Sequence, residues 1–238
     1  MASARATGPG QQPLLSEDAA QIAVHKRAVG IAAAELVQDG MRVGLGTGST
    51  VAYLLDALGK RELTDVLCTA TSPATERAAR ALGLVVADLD ELGELDLAID
   101  GADQVDPQGW LVKGGGAAHT REKIVAAAAR QFVVIVSAEK IVAEIAAPVP
   151  LELVPFAVHT TLAALGEARL REAPRSPDGG LIADYLGPVE NPRELAARLS
   201  ATPGVVEHGL FAPEMVSEIL IASATGVERR SGAKRETA

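Results

Sequence analysis

From Ala19 onward, short runs of consecutive apolar residues alternate with segments whose apolar positions recur every three to four residues. Ile22, Val29, Ala33, Leu36 and Val37 fall at helical spacing, which predicts a helix over 23–38 that Asp39-Gly40 ends. Arg42-Val43-Gly44-Leu45 reads as a first strand, and Ser49 or Thr50 can cap a helix running to Leu58. A strand over 66–70, a helix over 73–82 stopped by Gly83, and strands over 84–87 and 95–99 come next. A helix over 120–130 and a strand over 132–136 complete this stretch. Strands separated by helices predict an α/β fold, a mostly parallel sheet with helices on both faces.

The pattern changes at Pro148, Pro150 and Pro155, which suit a domain junction. Strands are predicted over 151–154, 168–172, 181–185 and 205–210, with helices over 157–166 and 192–200. A turn at Ser176-Pro177-Asp178-Gly179-Gly180 separates the middle strands. This β-α-β-β-α-β order is that of the split ferredoxin-like unit. It predicts a smaller α+β domain over 148–213, and an apolar strand over 219–222 then rejoins the first sheet. The larger domain therefore takes 19–147 and 214–230. Residues 1–18 lack an apolar signal core and read as a disordered tail, and the charged residues after Glu228 read as frayed.

Charge narrows the partners. The net charge of −9 argues against nucleic acid and against an anionic membrane surface, so an anionic ligand needs a local cluster of donors. No apolar run reaches membrane-spanning length. Only 3% of residues are aromatic, which leaves little for base stacking. Cys68 is the sole cysteine, so an intrachain disulfide and a thiolate metal cage are both excluded. Within Val66-Leu67-Cys68 it reads as a small buried hydrophobe.

Four segments can carry chemistry. Gly44-Leu45-Gly46-Thr47-Gly48-Ser49-Thr50 joins a strand to a helix. Its glycines allow close approach to an anion, the helix start offers free N–H groups, and Thr47, Ser49 and Thr50 add hydroxyl donors. It lacks the Gly-Lys-Ser/Thr ending of a Walker loop and the third glycine of a dinucleotide loop, and no acid follows the second strand. A phosphate monoester fits better than NAD; a glycine turn made for packing is the alternative. Asp100-Gly101-Ala102-Asp103-Gln104-Val105-Asp106-Pro107 follows an apolar strand, where α/β sheets bind ligands. Asp100 and Asp103 can move protons, grip sugar hydroxyls or hold a hard cation, and Asp106 reads as a turn residue.

Lys113-Gly114-Gly115-Gly116 precedes a helix that carries Glu122 early in its course. A triple glycine implies a required tight conformation, whereas Glu122 could serve merely to favour the helix start. His119 reads as a wall residue, and His25, His159 and His208 show no metal-ligand spacing. Lys140, in Ser137-Ala138-Glu139-Lys140, follows the next strand and could reach the same sheet edge; a surface lysine is the alternative.

In this order, Gly-Leu-Gly-Thr-Gly-Ser-Thr, Asp-Gly-Ala-Asp, Lys-Gly-Gly-Gly-Ala-Ala with Thr-Arg-Glu-Lys, and the lysine after the next strand resemble ribose-5-phosphate isomerase of the A type. Pro203 to Phe211 is similar to that family too, and the resemblance spans residues 24–226. It implies a Rossmann-like sheet domain with a small ferredoxin-like domain, no cofactor or metal, a homodimer or homotetramer and a place in pentose phosphate metabolism, while the missing signal core in residues 1–18 predicts a cytoplasmic setting. It implies Glu122 as the base that moves a proton between C1 and C2 through an enediolate. Asp100 would assist ring opening, while Asp103 and Lys113 hold and polarise the sugar. Thr47, Gly48, Ser49, Thr50 and Lys140, with Lys26, would bind chiefly the phosphate, and Gly101, Gly114 and Gly115 would line the sugar site. His119 stands where an apolar residue is common in that family, and Ser137-Ala138-Glu139 departs from its usual approach to the lysine. Rival readings are an isomerase or deaminase for another sugar phosphate, a non-catalytic sugar-phosphate sensor, and a nicotinamide-dependent dehydrogenase.

Overall fold

The computed structural model describes residues 17–233, so the expected tail lies outside the described residues except for Glu17 and Asp18. Those two open the first helix, α1 (Glu17–Ala34), six residues ahead of the predicted start. Asp18 lies in the first turn, where an acid interacts favourably with the helix dipole, and the alanine-rich stretch behind it has high helix propensity. The helix also ends earlier than the periodicity predicts. The Arg61 guanidinium takes the Ala34 carbonyl and, at 2.7 Å, that of Val37, and the chain tightens into a turn even though Val37 stays buried.

The main sheet has seven strands: β1 (Arg42–Leu45), β2 (Leu67–Ala70), β3 (Val85–Val86), β4 (Leu95–Asp100), β7 (Ala129–Ser137), β13 (Glu218–Ser223) and β14 (Gly226–Ser231). They lie in the order β14-β13-β7-β4-β1-β2-β3, and every pairing is parallel except that of β13 with β14. The long strand β7 shows why both faces carry helices. Val133 and Ile135 pack toward α1 and α2 (Ser49–Leu58), in the core layer that α3 (Pro73–Ala81) continues over β2 and β3. Phe132, Val134 and Val136 face the other way, onto α4 (Leu89–Leu92), α5 (His119–Ala128) and Phe211. A strand buried on both sides reads as a continuous apolar run, which is the signal the sequence carried.

Boundaries differ from expectation at β7 and at β14. Ala129 and Arg130, predicted as helix, extend the strand, because Ala129 pairs with Leu95 and strand pairing overrides helix propensity. The chain after Glu228 is not frayed over 229–231: it forms the outer strand β14, where Arg229 makes paired hydrogen bonds to Glu218.

The smaller sheet takes β8 (Val149–Leu153), β9 (Ala168–Leu170), β10 (Leu181–Tyr185) and β11 (Val205–His208) in the order β11-β8-β10-β9, all antiparallel. With α6 (Val158–Leu165) and α7 (Pro192–Ser200) it is the expected ferredoxin-like arrangement. Its core joins Leu151, Leu153, Leu165, Leu195 and Leu199. The predicted strand over 205–210 breaks at Gly209, and Leu210–Phe211 (β12) leaves to pair with β6 (Leu111–Val112). Together with β5 (Gln104–Val105) these make a third, three-stranded sheet that hydrophobic patterning did not reveal.

Candidate active site

The chain crosses from β1 through α2 to β2 on one side, whereas β4 leads toward β7 on the other. The crevice beyond the carboxyl ends of β1 and β4 is therefore a topological switch point, where open α/β sheets bind ligands. A cleft of about 110 Å³ opens there. It is lined by the loop after β1 (Thr47, Gly48, Ser49, Thr50) and the loop after β4 (Gly101, Ala102, Asp103). Lys113 and its glycines, Glu122, Lys26 and Lys140 complete the wall. Every residue expected from the sequence lines this cleft except Asp100, which stands behind Lys113; Ala102 and Gly116 line it in addition.

At one end the α2 N-terminus faces the cleft. The cap position is Gly48, at φ 117°, not Ser49 or Thr50 as expected, so no side chain covers the first-turn N–H groups. Ser49 Oγ instead accepts from Lys26 Nζ at 2.8 Å. An uncapped helix start with hydroxyls, Lys26 and Lys140 around it has the donors and positive charge that suit an anion, in a protein whose overall charge is negative. Gly46 explains why the loop is glycine-rich. A Cβ there would lie 1.9 Å from Asp100 Oδ1, so a side chain and the aspartate cannot coexist.

At the other end, Lys113 is buried between two carboxylates. Its Nζ stands 2.8 Å from Asp100 Oδ2 and 3.2 Å from Glu122 Oε2. Asp100 Oδ1 accepts from Thr47 N at 3.1 Å and Gly101 N at 2.7 Å, tying the phosphate-type loop to the charged cluster. Burial, then the neighbouring Asp100 charge, pushes Glu122 up to about 8 against the pull of Lys113. Burial likewise raises Asp100. Burial disfavours the Lys113 charge, but the two carboxylates outweigh it and hold Lys113 above its ordinary range. One cation between two acids leaves room for one mobile proton, and Glu122 is the acid that faces the cleft.

Asp103 is exposed at the mouth and accepts from Gly115 N at 2.8 Å. Asp106 is a turn residue, as expected, accepting from Trp110 N at 2.8 Å. His119 is fully buried outside the cleft wall, with burial lowering it to about 4, so it is a neutral packing residue. Cys68 is buried and its thiol is pushed up to about 12 by burial, which makes it inert as a nucleophile. Among the described residues no group of three or more His, Cys, Asp or Glu side chains could hold a metal ion.

Two contacts escaped the sequence reading because they come from the distant small sheet. The Gly209 carbonyl accepts from Lys113 N at 2.8 Å, and a Cβ on Gly209 would sit 2.1 Å from the Lys113 carbonyl. Arg171 reaches the Gly114 and Gly115 carbonyls. The Pro203 to Phe211 stretch was a signal for the first; none marked the second.

The model of the family Ribose 5-phosphate isomerase A (phosphoriboisomerase A) matches residues 67–226. The ribose-5-phosphate isomerase A of Methanosarcina acetivorans is 46% identical over 216 residues, covering 84% of this chain and 91% of that one. The Caulobacter vibrioides protein of the same name is 47% identical over 219 residues, 86% of this chain and 96% of its own. The structure of ribose 5-phosphate isomerase A from Methanocaldococcus jannaschii superposes with a TM-score of 0.82 at 36% identity, over 87% of this chain and 98% of that one. A D-ribose-5-phosphate isomerase in complex with phospho-erythronic acid gives 0.84 at 32% identity, over 88% and 99%. The chain belongs to the ribose 5-phosphate isomerase A family.

Proposed function

We propose that Glu122 is the base when this isomerase interconverts ribose 5-phosphate and ribulose 5-phosphate. The observation that carries the reading is the buried Lys113 shared by Asp100 and Glu122, with Glu122 at the cleft and raised to about 8. A general base works best when its pKa lies near the operating pH. The Glu122 carboxylate takes the proton from C2 of the open-chain aldose. Negative charge then develops on the C1 oxygen, where the Lys113 ammonium and backbone N–H groups stabilise it. The same carboxyl returns the proton to C1, the O2 proton passes to O1, and the ketose results. No redox partner is needed for that balance.

Asp100 Oδ2, paired with Lys113 Nζ at 2.8 Å, is the atom that would exchange a proton during ring opening once Lys113 shifts toward the substrate. Asp103 grips a sugar hydroxyl at the mouth. The α2 N-terminus with Thr47, Ser49, Thr50, Lys26 and Lys140 holds the phosphate, and a relative crystallised with phospho-erythronic acid supports a phosphorylated ligand of this size. The family resemblance also supports a homodimer or homotetramer, which the mass of the native particle tests, and the missing signal core in residues 1–18 supports a cytoplasmic setting; no described helix is long and apolar enough to cross a membrane.

Turnover in D₂O tests the chemistry. Proton transfer by a carboxyl that exchanges with solvent places deuterium at C1 of ribulose 5-phosphate and at C2 of ribose 5-phosphate, read by NMR. Reaction without any label at either carbon, under conditions where the carboxyl has time to exchange, would count against Glu122 as the carrier.

A further inference from the structure

Arg171 lies just past β9, in the small domain, and does not line the cleft. Its guanidinium is nonetheless committed to the cleft's glycine loop. Nη1 donates to the Gly114 carbonyl at 3.0 Å and to the Gly115 carbonyl at 3.3 Å. The other edge is held by Asp184 on β10, Nε to Oδ2 at 3.0 Å and Nη2 to Oδ1 at 2.5 Å. Both partners are mostly shielded from solvent, with side-chain exposures of 22% and 20%. A bidentate guanidinium–carboxylate pair fixes the donor fork in direction as well as place.

The peptide geometry supplies the consequence. In a trans peptide the C=O and the following N–H point in opposite directions, and the sole cis bond among the described residues is Ala147-Pro148. Turning the Gly114 carbonyl toward Arg171 therefore turns the Gly115 N–H away from it, and that N–H meets Asp103 Oδ2 at 2.8 Å. Turning the Gly115 carbonyl toward Arg171 likewise turns the Gly116 N–H away. That N–H meets no acceptor among the described residues, and Gly116 lines the cleft. An N–H held in place without a partner beside Lys113 is suited to a ligand oxygen.

We propose that Arg171, anchored by Asp184, is a positioning residue of the isomerase site: it holds two glycine carbonyls outward so that the Gly115 and Gly116 N–H groups face Asp103 and the sugar oxygens. This rests on the reading of the cleft as the ribose 5-phosphate site. A hydrogen bond made equally to substrate and transition state changes KM and leaves kcat alone.

The test is steady-state kinetics on the full chain with Arg171→Met, Arg171→Lys and Asp184→Asn. Arg171→Met is expected to raise KM for ribose 5-phosphate about tenfold, the weight of one hydrogen bond, with kcat within about threefold. Arg171→Lys, which keeps the charge and loses the fork, should recover only part of that KM. Asp184→Asn leaves the guanidinium without its anchor and should raise KM about threefold, so the proposal remains testable if Arg171→Met does not fold. Unchanged KM in the folded variants, whatever happens to Tm, overturns the positioning role. Absence of turnover in the wild type, measured alongside, would instead overturn the reading of the cleft.

Discussion

Lys113 Nζ stands 3.2 Å from Glu122 Oε2 while also pairing with Asp100, so a single buried ammonium serves two acids. That inequality keeps Glu122 raised to about 8, through burial and the Asp100 charge, and sets how the enzyme should respond to pH. Only the ionised carboxyl can accept the C2 proton. The expected kcat/KM therefore climbs about tenfold per pH unit below 8 and levels off above it, since this parameter reports the free enzyme. The second ionisation of a phosphate monoester, near about 6, lies below this window. A profile that is flat from pH 6.5 to 9 contradicts the assignment.

The same shift bears on stability, with a sign that can be worked out in advance. The folded protein holds the Glu122 proton more tightly than the unfolded chain, whose glutamate titrates near 4.5. The stability this contributes is complete below about pH 4.5 and is lost as pH rises through about 8. Glu122→Gln has no such loss and leaves Lys113 in a one-to-one pair with Asp100. Its Tm, relative to wild type, is expected to rise steadily between pH 5 and pH 9. For a chain of this size each kcal/mol corresponds to about 2–4 °C. Melting curves at the two pH values decide the matter; a mutant that loses ground at pH 9 contradicts the account.

Gly46 ties the phosphate-type loop to the charged cluster through shape. Its missing Cβ leaves space for Asp100, whose Oδ1 is then free to hold Thr47 N and Gly101 N. Gly46→Ala is expected to displace that carboxylate, lower kcat and cost about 1–3 kcal/mol of stability, the usual range for overpacking a filled site. Gly116→Ala is the control for stability, since the nearest atom to its added Cβ is Thr47 Cγ2 at 3.5 Å. Equal denaturation midpoints for the two variants would show that the Gly46 contact is not the constraint.

Much of this site was readable in the chain because its parts sit at strand ends, where composition changes abruptly. The run Leu95 to Ile99 announces a buried strand, so Asp100 had to fall at its carboxyl end. The Gly46 to Thr50 loop and the glycines after Lys113 are local signals for close backbone approach. What stayed hidden depends on partners distant in sequence. Nothing local to Ala34 says that Arg61 will take its carbonyl and end α1. Gly209 looks like an interior strand residue until the Lys113 backbone is placed against it. β14 looked like a charged tail because only its neighbour β13, and the Arg229 pairing with Glu218, make it a strand. The burial of Glu122 was equally invisible, since an acid in a first helical turn is ordinarily exposed.

The most direct test is conversion of ribose 5-phosphate to ribulose 5-phosphate by purified wild type and Glu122→Gln, without added cofactor and with a chelator present. The account predicts turnover by the wild type and a loss of at least about 10²–10⁴-fold in a folded mutant, the usual weight of a general base. Near-normal turnover by the folded Glu122→Gln enzyme would contradict it.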